Sequence, residues 1–342
     1  MQRSCWLTVR DTSRMAFLRG IALPSIALRG TTLHGIAPRG MTLCGMTLCG
    51  MTLFATTLCM LLSSVPGFAA DAPRGTLYII GGGDRPRSMM EEFVALAGGP
   101  EKARIRIIPN ASGDADTSGV RMAEEFKSLG VTDVSHILYT REQAERPGAE
   151  RAFDGATGVY FTGGDQVRIT RALLNTPVHR ALLDLYRNGA VIGGTSAGAA
   201  IMSEVMITGD EKINRDSVNL FPMIRLGNVE TVEGMGFVTD AIIDQHFVRR
   251  KRHNRLITVV LEHPRLVGVG IDEATAVVIG PDHTFRVVGE SVVVVYDATG
   301  ATAATTDAAG NLAASGMRLH VLKAGDRYDL AGRRVLTGDA AR

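Results

Sequence analysis

The residue with the clearest chemical capacity is a serine set between glycines. GTSAG at 194–198 places Ser196 two positions from Gly194 and from Gly198, at the end of an apolar run that begins at Val191. Glycines at those offsets let the backbone turn sharply without Cβ clashes, so the hydroxyl projects beyond the strand and the residues up to Ser203 open a helix. The same spacing also arises in Gly- and Ala-rich chains, so its partners must decide what it does.

A serine hydroxyl needs a base to take its proton and a carboxylate to fix the tautomer of that base. Among eight histidines, His246 stands out, because the apolar run of AIIDQH at 241–246 delivers Asp, Gln and His together. Asp272 and Glu273 end the apolar run LVGVGI and are suited to orient it. Neighbours on an extended segment point to opposite sides, so only one of the two serves. The order Ser, His, acid differs from the Ser, acid, His of α/β-hydrolases, and no HGGG-type oxyanion loop accompanies the elbow.

Other loops lie where ligands bind in such folds. TGGDQ at 162–166 exposes backbone amides at paired glycines and a neutral amide side chain at Gln166, the fixed donors an oxyanion hole requires, which the Ala197 amide completes. The glycines of GGGDRP at 81–86 fit a plain tight turn better than an anion cradle, because no dinucleotide or P-loop spacing follows. The run RRKRHNR at 249–255 reads as a solvated helix face or, given its place beside His246, as a site for substrate carboxylates. No aromatic residue interleaves it, which argues against single-stranded nucleic acid.

The elements that must position these residues alternate. Short β-branched runs (TLYII, RIRII, GVYF, VIGG) are separated by amphipathic segments such as RSMMEEFVAL and HRALLDLYRNG. That pattern predicts an α/β fold, doubly wound, with a mostly parallel sheet covered by helices on both faces and ligands beyond the carboxyl ends of the strands. After Leu266 closely spaced β runs follow, which predicts hairpins or an edge extension. The expected division is a leader at 1–70, an α/β domain at 71–290 and a β-rich extension at 291–342 packed on the same domain.

The chain has 342 residues, 45% hydrophobic and 21% charged, with a formal net charge of +2. That balance suits a sizeable core and gives no general case for nucleic acid. All four cysteines (Cys5, Cys44, Cys49, Cys59) lie in the leader, so a Cys nucleophile or Cys-based metal site is excluded beyond it. The leader is basic, repeats Leu at five-residue intervals from Leu23, and passes into the uncharged stretch 41–70. A secretory signal with cleavage near 67–70 is the expectation, with periplasmic or extracellular location; an uncleaved membrane anchor and a short pentapeptide solenoid are the alternatives.

Taken together, TGGDQ, GGTSAGAAIMS at 193–203, IIDQHF with R-x-x-R-L at 252–256, GIDEATA at 270–276 and LHVLKAGDRYDL at 319–330 resemble the cyanophycinases and their relatives. These are serine peptidases on the class I glutamine amidotransferase-like fold, a group that includes aspartyl dipeptidases. The resemblance implies Ser196 as nucleophile, His246 as base and Glu273, in preference to Asp272, as the acid. It implies substrate contacts from Gln166, Asp244, Gln245, Arg250, Arg252 and Arg255. It further implies a peptide substrate built of β-Asp-Arg units, no metal or cofactor, and a homodimer. With this goes the expectation that amides of Gly164 and Ala197 hold the oxyanion. One departure stands out: many members carry GAEDK where this chain has GGGDR. Rival expectations are an aspartyl dipeptidase of the same fold and an inactive protein that binds acidic peptides.

Overall fold

The computed structural model describes residues 72–214 and 221–336. The leader, with its signal, anchor and repeat readings, lies outside the described residues. Among the described residues, no helix is long and apolar enough to cross a membrane.

Five parallel strands form one half of a nine-stranded sheet: β1 (Thr76–Ile80), β2 (Arg104–Ile108), β3 (Asp133–His136), β4 (Gly158–Phe161) and β5 (Val191–Thr195). Their spatial order is β3-β2-β4-β5-β1. Between them run α1 (Arg87–Leu96), α2 (Ala115–Ser128), α3 (Arg141–Glu145), α4 (Gln166–Leu173) and α5 (Pro177–Arg187). The central strands β1, β4 and β5 are buried on both faces, which is why they read as unbroken apolar runs. Met90 and Phe93 of α1 and Phe126 of α2 pack with Tyr78 and Tyr160 on one face. Ile169 of α4 and Leu182 and Tyr186 of α5 pack with Phe161 and Ile192 on the other. The helix starts are encoded locally: Asp114, Thr140, Asp165 and Thr176 each accept a hydrogen bond from an amide of the first turn.

A one-turn helix, α6 (Ala197–Ala200), follows β5. The sequence suggested a helix running to Ser203, but the chain is drawn off sooner. Ser203 is fully buried and accepts from the Ile243 amide at 2.7 Å, so the residues after Ala200 must reach the neighbouring sheet. An antiparallel pair, β6 (Val205–Glu211) and β7 (Val229–Glu233), comes next, in a stretch to which the sequence pattern assigns no element.

The remaining elements are β8 (Ala241–Asp244), α7 (His253–Glu262), β9 (Val267–Ile271), β10 (Thr275–Ile279), β11 (Thr284–Gly289) and β12 (Val292–Asp297). After them come β13 (Thr305–Thr306), β14 (Leu312–Ala313), β15 (Arg318–Lys323), β16 (Arg327–Asp329) and β17 (Arg334–Leu336). The hairpins expected after Leu266 form and divide between two sheets. β10, β11, β16 and β17 extend the main sheet antiparallel from β1, while β8, β9, β12 and β15 make a second, four-stranded sheet. Residues past 290 therefore contribute to both layers. Two features matter for the site: β8 and β9 are parallel, so their carboxyl ends share an edge, and the link from β9 to β10 crosses between the sheets.

Candidate active site

Ser196 leaves β5 with φ 55° and ψ −108°, a conformation that costs an ordinary residue about 1–3 kcal/mol and persists only where its surroundings impose it. They do so by close approach. A Cβ on Gly194 would lie 2.5 Å from the Gly198 carbonyl oxygen, so the strand and the helix after it touch backbone to backbone. Every residue of 191–200 is buried except Ser196, whose hydroxyl alone reaches the site.

The candidate base arrives from the second sheet. β8 delivers Asp244, Gln245 and His246, and His246 also adopts a positive φ of 48°. Its Nε2 lies 2.9 Å from Ser196 Oγ, and its Nδ1 lies 2.6 Å from a carboxylate oxygen of Glu273. An ionised carboxylate only accepts, so Nδ1 carries the ring proton and donates it to Glu273, while Nε2 accepts from the serine hydroxyl. Burial holds the imidazole below its ordinary value of 6.5, the Glu273 hydrogen bond opposes that, and the charges of Arg250 and Arg252 reinforce it. Asp272 faces the other way, as alternation along the segment requires. It accepts from the Arg249 amide at 2.9 Å and from the Ser291 hydroxyl at 2.7 Å, and so pins the turn after the histidine.

The sequence treated residues 81–86 as a turn, yet their backbone gathers the site. Two of its carbonyls, with that of Ile80 at the end of β1, accept from the site: Ile80 from the Ser196 amide at 3.0 Å, Gly81 from the His246 amide at 2.7 Å and Gly82 from the Ala274 amide at 2.9 Å. Gly82 also lies under the imidazole, where an added Cβ would stand 2.4 Å from Cε1. A run of glycines beside a strand end was the available signal. It could not be read because its partners lie 116 to 192 residues further on.

A serine, a histidine and a glutamate in one hydrogen-bonded line is an arrangement that peptidases use. The model of peptidase family S51 matches residues 77–287. The chain belongs to that family. It is 35% identical over 276 residues to a cyanophycinase from Nostoc sp., covering 78% of this chain and 89% of that one. It is 32% identical over 278 residues to one from Geminocystis herdmanii, covering 78% and 97%. A solved peptidase from an acI-B1 Actinobacterium, 21% identical, covers 76% of this chain and 98% of its own with a TM-score of 0.56, which bears on the fold alone. The S51 chain is thus a hydrolase, a peptidase of the cyanophycinase type.

The S51 site treats the expected substrate contacts unequally. Asp244 and Arg255 are both buried and satisfy one another: Arg255 Nε donates to one carboxylate oxygen at 2.8 Å and a terminal nitrogen to the other. The Gln245 amide adds a further bond to Asp244 at 2.7 Å. In the described geometry it is this pair, and not an open face of either side chain, that borders the site. Buried opposite charges 11 residues apart complete each other before any ligand arrives. Gln245 is buried too, its side-chain oxygen accepting from Arg252 at 2.7 Å. Burial, with Arg255 nearby, lowers Arg252 to about 10, which leaves it charged at neutral pH. Arg250 is exposed, with no ion pair among the described residues.

The second glycine-rich loop lies against the serine. Gly163 is closest, since a Cβ built there would stand 3.3 Å from that of Ser196, while one on Gly164 would strike the Ala111 carbonyl at 2.0 Å. Ala197 is fully buried behind the serine. Gln166 donates through its amide nitrogen to the Ile207 and Thr208 carbonyls at 2.8 and 2.6 Å, tying this loop to the β6–β7 pair. A cleft of about 420 Å³ opens there, lined by Gly164, Gln166, Arg171, Thr208, Asp210 and Glu230.

Proposed function

We propose that this peptidase is a serine exopeptidase that cleaves cyanophycin-like acidic peptides, releasing β-Asp-Arg units through an acyl-enzyme. The observation that carries the reading is the line from Ser196 Oγ to His246 Nε2 at 2.9 Å and from Nδ1 to Glu273 at 2.6 Å. His246 takes the serine proton as Oγ attacks the scissile carbonyl, and Glu273 steadies the imidazolium that forms. The amides of Gly164 and Ala197 receive the developing oxyanion. His246 then protonates the leaving amine, and water, deprotonated by the same imidazole, releases the acyl group from Ser196.

Substrate class is supported by the curated relatives, each named a cyanophycinase, and by the cationic edge that Arg250 presents beside the base. A second reading, an aspartyl dipeptidase acting on short Asp-Xaa peptides, draws on the loop at 81–85, where this chain has Gly83 and Arg85 in place of the Glu and Lys of many cyanophycinases. The leader's composition supports export to the periplasm or beyond, and a homodimer is the proposed assembly.

Mass spectrometry of the products made from cyanophycin and from a panel of Asp-Xaa peptides, by the protein and by its Ser196→Ala variant, tests the proposal. Release of β-Asp-Arg by the unaltered protein alone is expected. Cleavage of only the short peptides moves the assignment to a dipeptidase, and equal activity of the variant removes the serine mechanism.

A further inference from the structure

The loop that offers its carbonyls to the site carries none of the reacting groups, so something must hold it in place. Its own glycines are permissive, and Asp84 between them and Arg85 is exposed. Arg85 is the anchor. A terminal nitrogen of its guanidinium donates to the Glu125 carboxylate of α2 at 2.7 Å, with both side chains largely covered, 25% and 28% exposed. Pairs this sheltered are screened less than those on open surface.

The rest of the guanidinium turns inward. Its Nε is buried and has no hydrogen-bond partner among the described residues, and the same is true of the hydroxyls of Tyr160, Thr162 and Thr195. Period-two alternation puts Tyr160 and Thr162 on the same side of their segment. Thr195 pairs with Ile80 across the sheet and immediately precedes the serine. The Tyr160 hydroxyl feels the charge of Arg85 and the dipole of Thr195, while burial pushes it far above the ordinary phenol range and keeps it neutral. Arg85 thus lies within electrostatic reach of the Tyr160 hydroxyl, beside the strand end that leads into the elbow. Buried polar groups without partners are uncommon and costly, and they persist where something besides stability retains them.

We propose that Arg85 is a positioning residue for catalysis: anchored to Glu125 beside the strand end that leads into the elbow, it fixes residues 81–86 so that their carbonyls hold His246 and the segment bearing Glu273 in line with Ser196. This rests on the serine, histidine and glutamate reading above. Freed from α2, the loop slackens, the imidazole tilts and gains solvent, and proton transfer from Ser196 slows although the substrate still has its contacts.

The test is the rate at which a fluorophosphonate labels Ser196, followed across pH, together with steady-state kinetics on cyanophycin, for the protein and its R85Q, R85K and E125Q variants. Labelling reports the activated serine whatever the natural substrate is. No labelling of the unaltered protein defeats the serine reading itself; normal labelling that the variants share defeats only the role of Arg85. Because misplacing a catalytic group slightly costs up to about a hundredfold, R85Q is expected to lose about tenfold or more in labelling rate and kcat, with KM nearly unchanged. Its acid limb moves to higher pH as the imidazole is re-solvated. The Glu125 contact is a single N–H to oxygen bond that an ammonium can also make, so R85K is expected to keep activity within about threefold. E125Q lies outside the site and reproduces the R85Q phenotype in weaker form, and it carries the test should R85Q fail to fold. A rise in KM alone in R85Q, or unaltered labelling and pH profiles in both R85Q and E125Q, overturns the proposal.

Discussion

Ser196 stands on a parallel strand among residues that carry no charge, where glycines and alanines let one backbone approach another and the turn itself aims the hydroxyl. His246 and Glu273 leave a different sheet amid charge-assisted hydrogen bonds: Asp244 with Arg255, Gln245 with Arg252, Asp272 with the Arg249 amide. The proposed nucleophile is therefore placed by sterics and the proposed base by electrostatics. Shape should tolerate changes of pH and salt on the first side, whereas charge removal should be felt chiefly on the second.

The widest effect is expected from the reacting groups, where the two halves act as one. Ser196→Ala and His246→Ala should each reduce kcat by about a million-fold, and the double variant by little more, because neither residue works without the other. Activities that multiply would separate the halves.

Gly82→Ala tests the steric side of the seam. Its methyl group would stand 2.4 Å from His246 Cε1, so the ring must move. A loss of up to about a hundredfold in kcat is expected, with a lowered unfolding midpoint as well, because the backbone there has a φ of 117° that strains an alanine. A fall in stability with normal kcat would show that the ring accommodates the methyl group.

Asp244→Asn addresses charge. Leaving the buried Arg255 cation unpaired should destabilise the fold by about 3–5 kcal/mol in urea titrations. A variant as stable as the parent, with raised KM, would return Asp244 to the substrate.

The smallest effect concerns pH. The base acts only when neutral, and burial with Arg250 and Arg252 lowers its pKa, so activity should persist below 6.5 and fade as pH drops through the lowered value. Arg250→Gln removes a cation that disfavours the imidazolium, so its acid limb should shift upward; an unmoved limb would assign Arg250 to the substrate alone.

Where the geometry of the candidate site depends on local sequence, it was legible. A serine between glycines after an apolar run, and a histidine ending another, follow from strand length and the need for a turn. The α/β class followed from the alternation of runs. Less accessible was everything that depends on how distant segments meet. The pairing of Asp244 with Arg255 could not be read, because nothing in the order of residues says that the chain reverses at 247–252 and folds one onto the other. The β6–β7 pair escaped notice because its strands are partly exposed and lack regular alternation, whereas the strands of the second sheet were legible as apolar runs and only their pairing into a separate sheet was not.

The three carbonyls at the end of β1 have a bearing on biosynthesis. β1 emerges first among the strands, yet one of its edges waits for β5 and the other for β10. Until both have been made and paired, the amides of Ser196 and His246 have no fixed seat, and the peptidase stays unassembled on the ribosome through most of its translation. Long-range closure of this kind slows folding, and it also withholds hydrolytic activity from a nascent chain.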